Sequence, residues 1–130
     1  DWQLACNLDS LAGGGILDGE VAICTPYFTR PGWDWFQKRY SLQQSSEGSG
    51  QSQPLRILTS LSARNSANGS LDLRLLEDLL ERGALIRHLD GIHAKIFLVG
   101  SRVIFGSSNL TAGGLRRNHE VVYEASLPNQ

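Results

Sequence analysis

The sequence predicts a layered α/β/α domain built on a mixed, mainly parallel β-sheet. Three observations carry this. Apolar, β-branched runs alternate with helix-period runs along the chain, as they do when strands and helices form separate layers. The segment Leu71 to Leu80 repeats leucine at helical spacing, so one helix must lay an apolar face on something. Two apolar runs flank Gly100-Ser101, a Gly-first pair suited to a two-residue hairpin of type II′.

In order, Trp2, Leu4, Ala5, Leu8 and Leu11 fall at helix-like spacing ahead of Gly13-Gly14-Gly15, which predicts a short helix over residues 1–11. Val21 to Phe28 is apolar and bounded by Gly19 and by Arg30-Pro31-Gly32. It reads as a buried strand whose end reaches the rim of a site. The Pro-Gly pair gives a sharp entry to a helix from Trp33 to about Gln43. Ser45 to Gln53 (SSEGSGQSQ) has the composition of a flexible loop inserted in a single domain. Leu55 to Leu61 reads as a second strand, and Ser62 to Gly69 as a polar loop holding Arg64, Asn65 and Asn68. Ser70 is the expected cap of the leucine helix. Leu71, Leu75, Leu76, Leu79 and Leu80 line its inner face, Arg74, Glu77, Asp78 and Glu81 its outer one, and Gly83 stops it. Ala84 to His88 is a third strand; the hairpin and one more strand follow. No internal repeat is visible.

The chain has 130 residues and 41% hydrophobic content, enough for one domain, residues 1–130, with its own core. The net charge of −1 does not by itself call for a polyanionic partner, but its distribution is uneven. From Arg82 to Arg117 there are six basic residues (Arg82, Arg87, Lys95, Arg102, Arg116, Arg117) against Asp90 alone, so this third carries +5 and the rest −6. Strand-edge arginines that keep a sheet soluble are the plainer explanation. Cys6 and Cys24 have no metal-ligand or redox spacing and read as reduced, buried residues. No run approaches the ~20 apolar residues of a membrane span, and the start does not look like a signal peptide, so a cytoplasmic protein is expected. A chain that starts at Asp1 and contains no Met reads as a piece of a longer protein.

The chemistry gathers between Ile92 and Glu124. In a strand, His93 and Lys95 share a face with Phe97 and Val99, so an imidazole and a cation sit side by side. With Val99 paired to Arg102, counting back along the ladder sets Gly106 opposite Lys95, leaving room for a ligand, and Ser108 opposite His93. Each part alone is commonplace: His-x-Lys is usually an exposed polar pair, and Gly-Ser-Ser-Asn a turn. Their order and spacing together point to a site.

His93, Lys95, Gly106, Ser107 or Ser108, and Asn109 resemble the HKD motif of the phospholipase D superfamily. Within it, GSSNLTAGGL and the N-x-E of Asn118 to Glu120 are most similar to small nucleases and restriction-endonuclease catalytic domains. The motif's Asp falls at Gly100, and the connection to the Gly-Ser pair is one residue shorter. Sequence order selects Ser107 for the motif position; the hairpin count selects Ser108.

The resemblance implies a phospholipase D-like fold and a metal-independent phosphodiesterase without cofactor, acting on DNA. Two HKD motifs would meet, in a homodimer or beside a second motif elsewhere in the full protein. His93 would be nucleophile in one copy and general acid in the other. Lys95, Asn109 and one of Ser107 and Ser108 would hold phosphate oxygens, and Glu120 would orient the imidazole, with Glu124 on the same strand face as its rival. Arg116, Arg117 and Arg64 are candidates for nucleic-acid backbone contacts; His88 and His119 read as structural or surface residues. Two alternatives stand beside this: a catalytically silent nucleic-acid-binding or dimerisation module, supported by Gly100, and a phospholipid phosphodiesterase or phosphatidyl transferase, against which the lack of a membrane-binding helix counts.

Overall fold

The computed structural model describes residues 2–5, 8–11, 15–17, 19–42 and 54–127. The chain runs through β1 (Trp2–Ala5), a 3₁₀ turn (Leu8–Ser10), β2 (Gly15–Leu17), β3 (Val21–Cys24), α1 (Arg30–Arg39), β4 (Tyr40–Leu42) and β5 (Arg56–Thr59). It continues with α2 (Ala63–Ala67), α3 (Leu73–Glu81), β6 (Leu85–His88), β7 (Ile96–Val99), β8 (Arg102–Gly106), a π-helical turn (Gly113–Arg117) and β9 (Val122–Ser126). Seven strands form one sheet in the order β1-β9-β8-β7-β3-β5-β6, and β2 and β4 form a small parallel pair.

The layered α/β class and the mixed sheet stand, but the balance within the sheet is reversed. β3–β5 and β5–β6 are parallel, while β3–β7, β7–β8, β8–β9 and β1–β9 are antiparallel. The hairpin accounts for one of these pairs: the two-residue connection between β7 and β8 is too short for anything but reversal.

Ile57, Ile23, Phe97 and Ile104 are cross-strand partners in one row and nearly inaccessible, 1–2% exposed. Leu75, Leu76 and Leu79 of α3 join the same core as Trp33 and Phe36 of α1, and the Phe36 ring meets Phe97 at 6.3 Å. Both long helices therefore cover the same face, as right-handed crossovers stepping in one direction across β3, β5 and β6 require. The other face carries the stacked Phe105 and Tyr123 rings, 5.6 Å apart, and the half-exposed Ile96 and Leu98.

The hairpin forms as the residues predict: Val99 pairs with Arg102, and Gly100 has φ +56°. No described non-glycine residue has positive φ, so Ser101 is on the ordinary side and the turn has the type II′ signature.

Other expectations fail for stated reasons. Residues 2–5 are an edge strand, not a helix, because β9 offers a ladder from Trp2↔Ala125 to Ala5↔Val122; apolar spacing over so short a stretch fits either period. The helix expected from Trp33 starts at Arg30, with Pro31 in its first turn, and stops at Arg39, where Tyr40 turns into β4 beside β2. Ser62 to Gly69 is not all loop: the Ser62 side chain accepts from Asn65 N and caps α2. Asp72, not Ser70, caps α3 through Leu75 N, and Leu80 is 51% exposed, off the inner face. Cys24 is free and half-buried, on the less covered face; Cys6 and the Ser45–Gln53 loop lie outside the described residues.

Candidate active site

Because β7 and β9 run against β3, β5, β6 and β8, one end of the sheet collects the segments after β3, β5, β6 and β8 and those before β7 and β9. That end is the carboxyl side of the parallel strands, beside β3, where pairing switches from parallel to antiparallel. Ligand crevices form at such places. His93, Lys95, Ser107, Ser108, Asn109 and Glu120 all lie there. Arg64 in α2, and Arg116 and Arg117 in the π-helical turn, leave from the same end.

His93 and Lys95 precede the ladder of β7 rather than belonging to it. Lys95 still points to the core face with Phe97 and Val99, and is 6% exposed; His93 is exposed. The Lys95 chain curls back: Nζ lies 3.0 Å from His93 Nδ1 and 3.1 Å from Nε2, and donates to His93 O at 2.8 Å. Burial holds the Lys95 ammonium below the usual lysine range, and the nearby Glu120 carboxylate partly opposes this.

Gly106 lies across from Lys95 as counted, its N donating to Lys95 O at 3.3 Å. Its small size serves another purpose than room for a ligand: a Cβ there would lie 2.1 Å from Val121 O, so glycine is what lets β9 approach. Gly114 plays the same part for the π-helical turn, where a Cβ would lie 2.1 Å from Asn109 O.

The two serines separate cleanly. Ser108 is 2% exposed and donates to Gly114 O at 2.5 Å, tying the turn together. Ser107 is exposed, donates to Glu120, and accepts from Val121 N at 3.1 Å. The two glutamates separate as well. Glu120 accepts from Ser107 and from Asn118 Nδ2 at 3.1 Å, so the expected hydrogen bond from the imidazole is not formed. Glu124 is 5% exposed and bound to Arg39, Tyr40 and Arg102 inside the fold. Burial pushes the Tyr40 hydroxyl up to about 12, so it stays protonated as a donor.

Arg116 is exposed and paired with Asp9 at 3.1 Å; Arg117 and Arg64 are exposed. His88 accepts from Leu61 N at 3.0 Å, a structural use. A shallow groove of about 270 Å³ runs between α1 and the π-helical turn, lined by Trp35, Lys38, Leu115 and Arg116 among others, and does not include His93.

Sequence reasoning missed one residue. Thr25, directly after β3, is fully buried, and its Oγ1 lies 3.3 Å from Asn109 Oδ1. The only signal was a hydroxyl ending an otherwise apolar run.

An exposed imidazole beside an ammonium, at a sheet end that also carries a hydroxyl, an amide and a carboxylate, can attack or protonate a phosphodiester, but one imidazole cannot do both. Among the described residues no helix is long and apolar enough to cross a membrane.

No curated protein sequence matches the chain. Among solved structures it is similar to Nuc, a phospholipase D family member from Salmonella typhimurium, with TM-score 0.62 and 17% identity over 98% of this chain and 84% of that one. It is also similar to polyphosphate kinase from Porphyromonas gingivalis, with TM-score 0.51 and 15% identity over 82% of this chain and 18% of that one. Both are likenesses of fold. Residues 18–129 match the family model described as cardiolipin synthase, PLD-like domain. The sheet-end cluster is thus met in a chain that belongs to the phospholipase D-like family.

Proposed function

We propose that this domain is half of a metal-independent phosphodiesterase site that cleaves DNA, in the manner of a nuclease or restriction-endonuclease catalytic domain in the cytoplasm. The single observation that carries the reading is the convergence of His93, Lys95, Ser107, Asn109 and Glu120 at one sheet end, with the imidazole exposed and the ammonium beside it.

A His93 ring nitrogen attacks phosphorus, forming a P–N bond while the P–O bond to the leaving group breaks. A second imidazolium, from another copy of the chain or a second motif in a longer one, gives its proton to the leaving oxygen. That imidazole then takes a proton from water as the water oxygen attacks phosphorus and the P–N bond breaks, regenerating both rings. A homodimer supplies both rings from one sequence.

Lys95 and Asn109 stabilise charge on the phosphate oxygens, where preorganised donors act most strongly. Lys95 Nζ leaves the imidazole when phosphate binds, which frees the ring lone pair. Ser107 is the site hydroxyl, since Ser108 is committed to Gly114; a phosphate oxygen competes with Glu120 for its proton. Arg64, Arg116 and Arg117 contact flanking phosphates.

The test is hydrolysis of bis(p-nitrophenyl) phosphate and nicking of plasmid DNA, both in EDTA, by the wild type and His93→Ala. Turnover abolished in the variant supports the reading. No turnover by a confirmed dimer, with DNA binding retained, supports the silent module instead. DNA affinity falls steeply with salt if phosphates are the contacts; a flat response refutes a nucleic-acid substrate. A second reading, phosphatidyl transfer or phospholipid hydrolysis, is favoured by the description of the matching family model and the half-exposed Ile96 and Leu98. Turnover of a short-chain phosphatidyl ester with none of DNA would select it.

A further inference from the structure

Asn109 is held by two different means. Its backbone is clamped: Thr111 N donates to Asn109 O at 2.9 Å, and Gly114 packs directly against the same oxygen. Its side chain depends on a residue 84 positions away. Thr25 is fully buried, its N donates to Leu58 O at 3.1 Å, and its Oγ1 lies 3.0 Å from Tyr27 O and 3.3 Å from Asn109 Oδ1. Cys24 pairs with Ile96, so one further step along the same register sets Thr25 beside Lys95, on the core face that Ile23 and Phe97 share. Thr25 is thus the neighbour of Lys95 across the sheet and touches Asn109 through its hydroxyl.

An amide has a donor end and an acceptor end, and its terminal torsion has two near-equivalent settings half a turn apart. With Oδ1 turned to the Thr25 hydroxyl, Nδ2 faces the site as a donor. With the amide reversed, an oxygen faces the phosphate and repels it. The backbone clamp cannot choose between these settings; a hydroxyl proton shared with Oδ1 favours the first.

We propose that Thr25 is a positioning residue: its one hydroxyl proton is shared between Tyr27 O and Asn109 Oδ1, and the share that reaches Oδ1 aims the Asn109 amide nitrogen at the phosphate. The proposal rests on the phosphodiesterase reading for its effect on rate, but not for the contact itself.

Thr25→Val keeps the shape and removes the donor; Thr25→Ser restores the donor with less bulk. Expected for Thr25→Val is a roughly ten-fold loss of kcat on bis(p-nitrophenyl) phosphate, the net worth of one ordinary hydrogen bond, since Asn109 is misaimed and not removed, with KM changed less and Thr25→Ser recovering most of the rate. In an Asn109→Ala background Thr25→Val has no further effect on kcat, because the group it aims is gone. Thr25→Val should also move the Asn109 side-chain NH₂ resonances in a ¹⁵N spectrum, a readout that needs no turnover. If wild type proves inactive, the phosphodiesterase reading fails, and the resonances alone decide the positioning claim. Should Thr25→Val not fold, Thr25→Ala takes its place in both measurements. Unmoved Asn109 resonances, or equal rate losses with and without Asn109, overturn the proposal and leave Thr25 as a core hydroxyl satisfied by Tyr27 O.

Discussion

Glu124→Gln tests how charge is held inside this fold. The Glu124 oxygens accept from Arg39 Nη2 at 3.0 Å, Tyr40 Oη at 3.0 Å and Arg102 Nη1 at 3.3 Å. The Arg39 side chain is 9% exposed and that of Arg102 35%, so the Arg39 half of the cluster decides the outcome. The substituted amide keeps one acceptor oxygen but sets a neutral NH₂ against a guanidinium that cannot rehydrate without opening the junction of α1 and β9. Breaking a buried pair from one side costs about 3–5 kcal/mol. The retained oxygen puts this change near the lower end, about 3 kcal/mol. At roughly 3–5 °C per kcal/mol for a domain of this size, Tm falls by about 9–15 °C. Thermal denaturation followed by circular dichroism at neutral pH measures this, with Tyr40→Phe as a milder companion at about 1 kcal/mol. Because the cluster lies along the strands rather than at the site end, kcat measured well below Tm should hold. A loss of stability under about 0.5 kcal/mol, the size of an exposed pair, would refute the reasoning.

Lys95 carries a pH dependence whose sign follows from its lowered pKa. The unfolded chain binds the Lys95 proton more tightly than the folded one, so stability gains from rising pH between the lowered value and the ordinary lysine one. A bound phosphate acts oppositely, favouring the charged form, so substrate affinity weakens as pH climbs through that window. KM against pH should therefore rise earlier than for a free lysine, and earlier still in Glu120→Gln, which removes the carboxylate that partly restores the charge; a profile unmoved by Glu120→Gln would contradict this. The serines should part in kind. Ser108→Ala loses a buried hydrogen bond and should cost about 1–3 kcal/mol in a thermal melt, whereas Ser107→Ala should leave Tm nearly unchanged and lower turnover. The reverse pattern would return Ser108 to the site.

What could be read from the residues was what short-range physics dictates. Gly100-Ser101 demanded its turn because glycine takes positive φ without strain, and that turn set Val99 against Arg102. The two-residue period turned Lys95 inward with Phe97 and Val99, and leucine spacing drew the buried side of α3. Tertiary structure decided matters of partnership. Residues 2–5 became a strand because β9, more than a hundred positions away, had an open edge. Ser107 and Ser108 differ by one position, and only the packing of the Gly113–Arg117 turn buries one and leaves the other at the rim. Glu120 and Glu124 lie on one strand face in sequence, yet two arginines and a tyrosine claim the second for the interior. Thr25 carried only a faint local mark, a hydroxyl in an apolar run, since its partner lies across the sheet end. Periodicity constrains which way a side chain faces; which groups it then meets depends on long-range burial and pairing that no window of sequence contains.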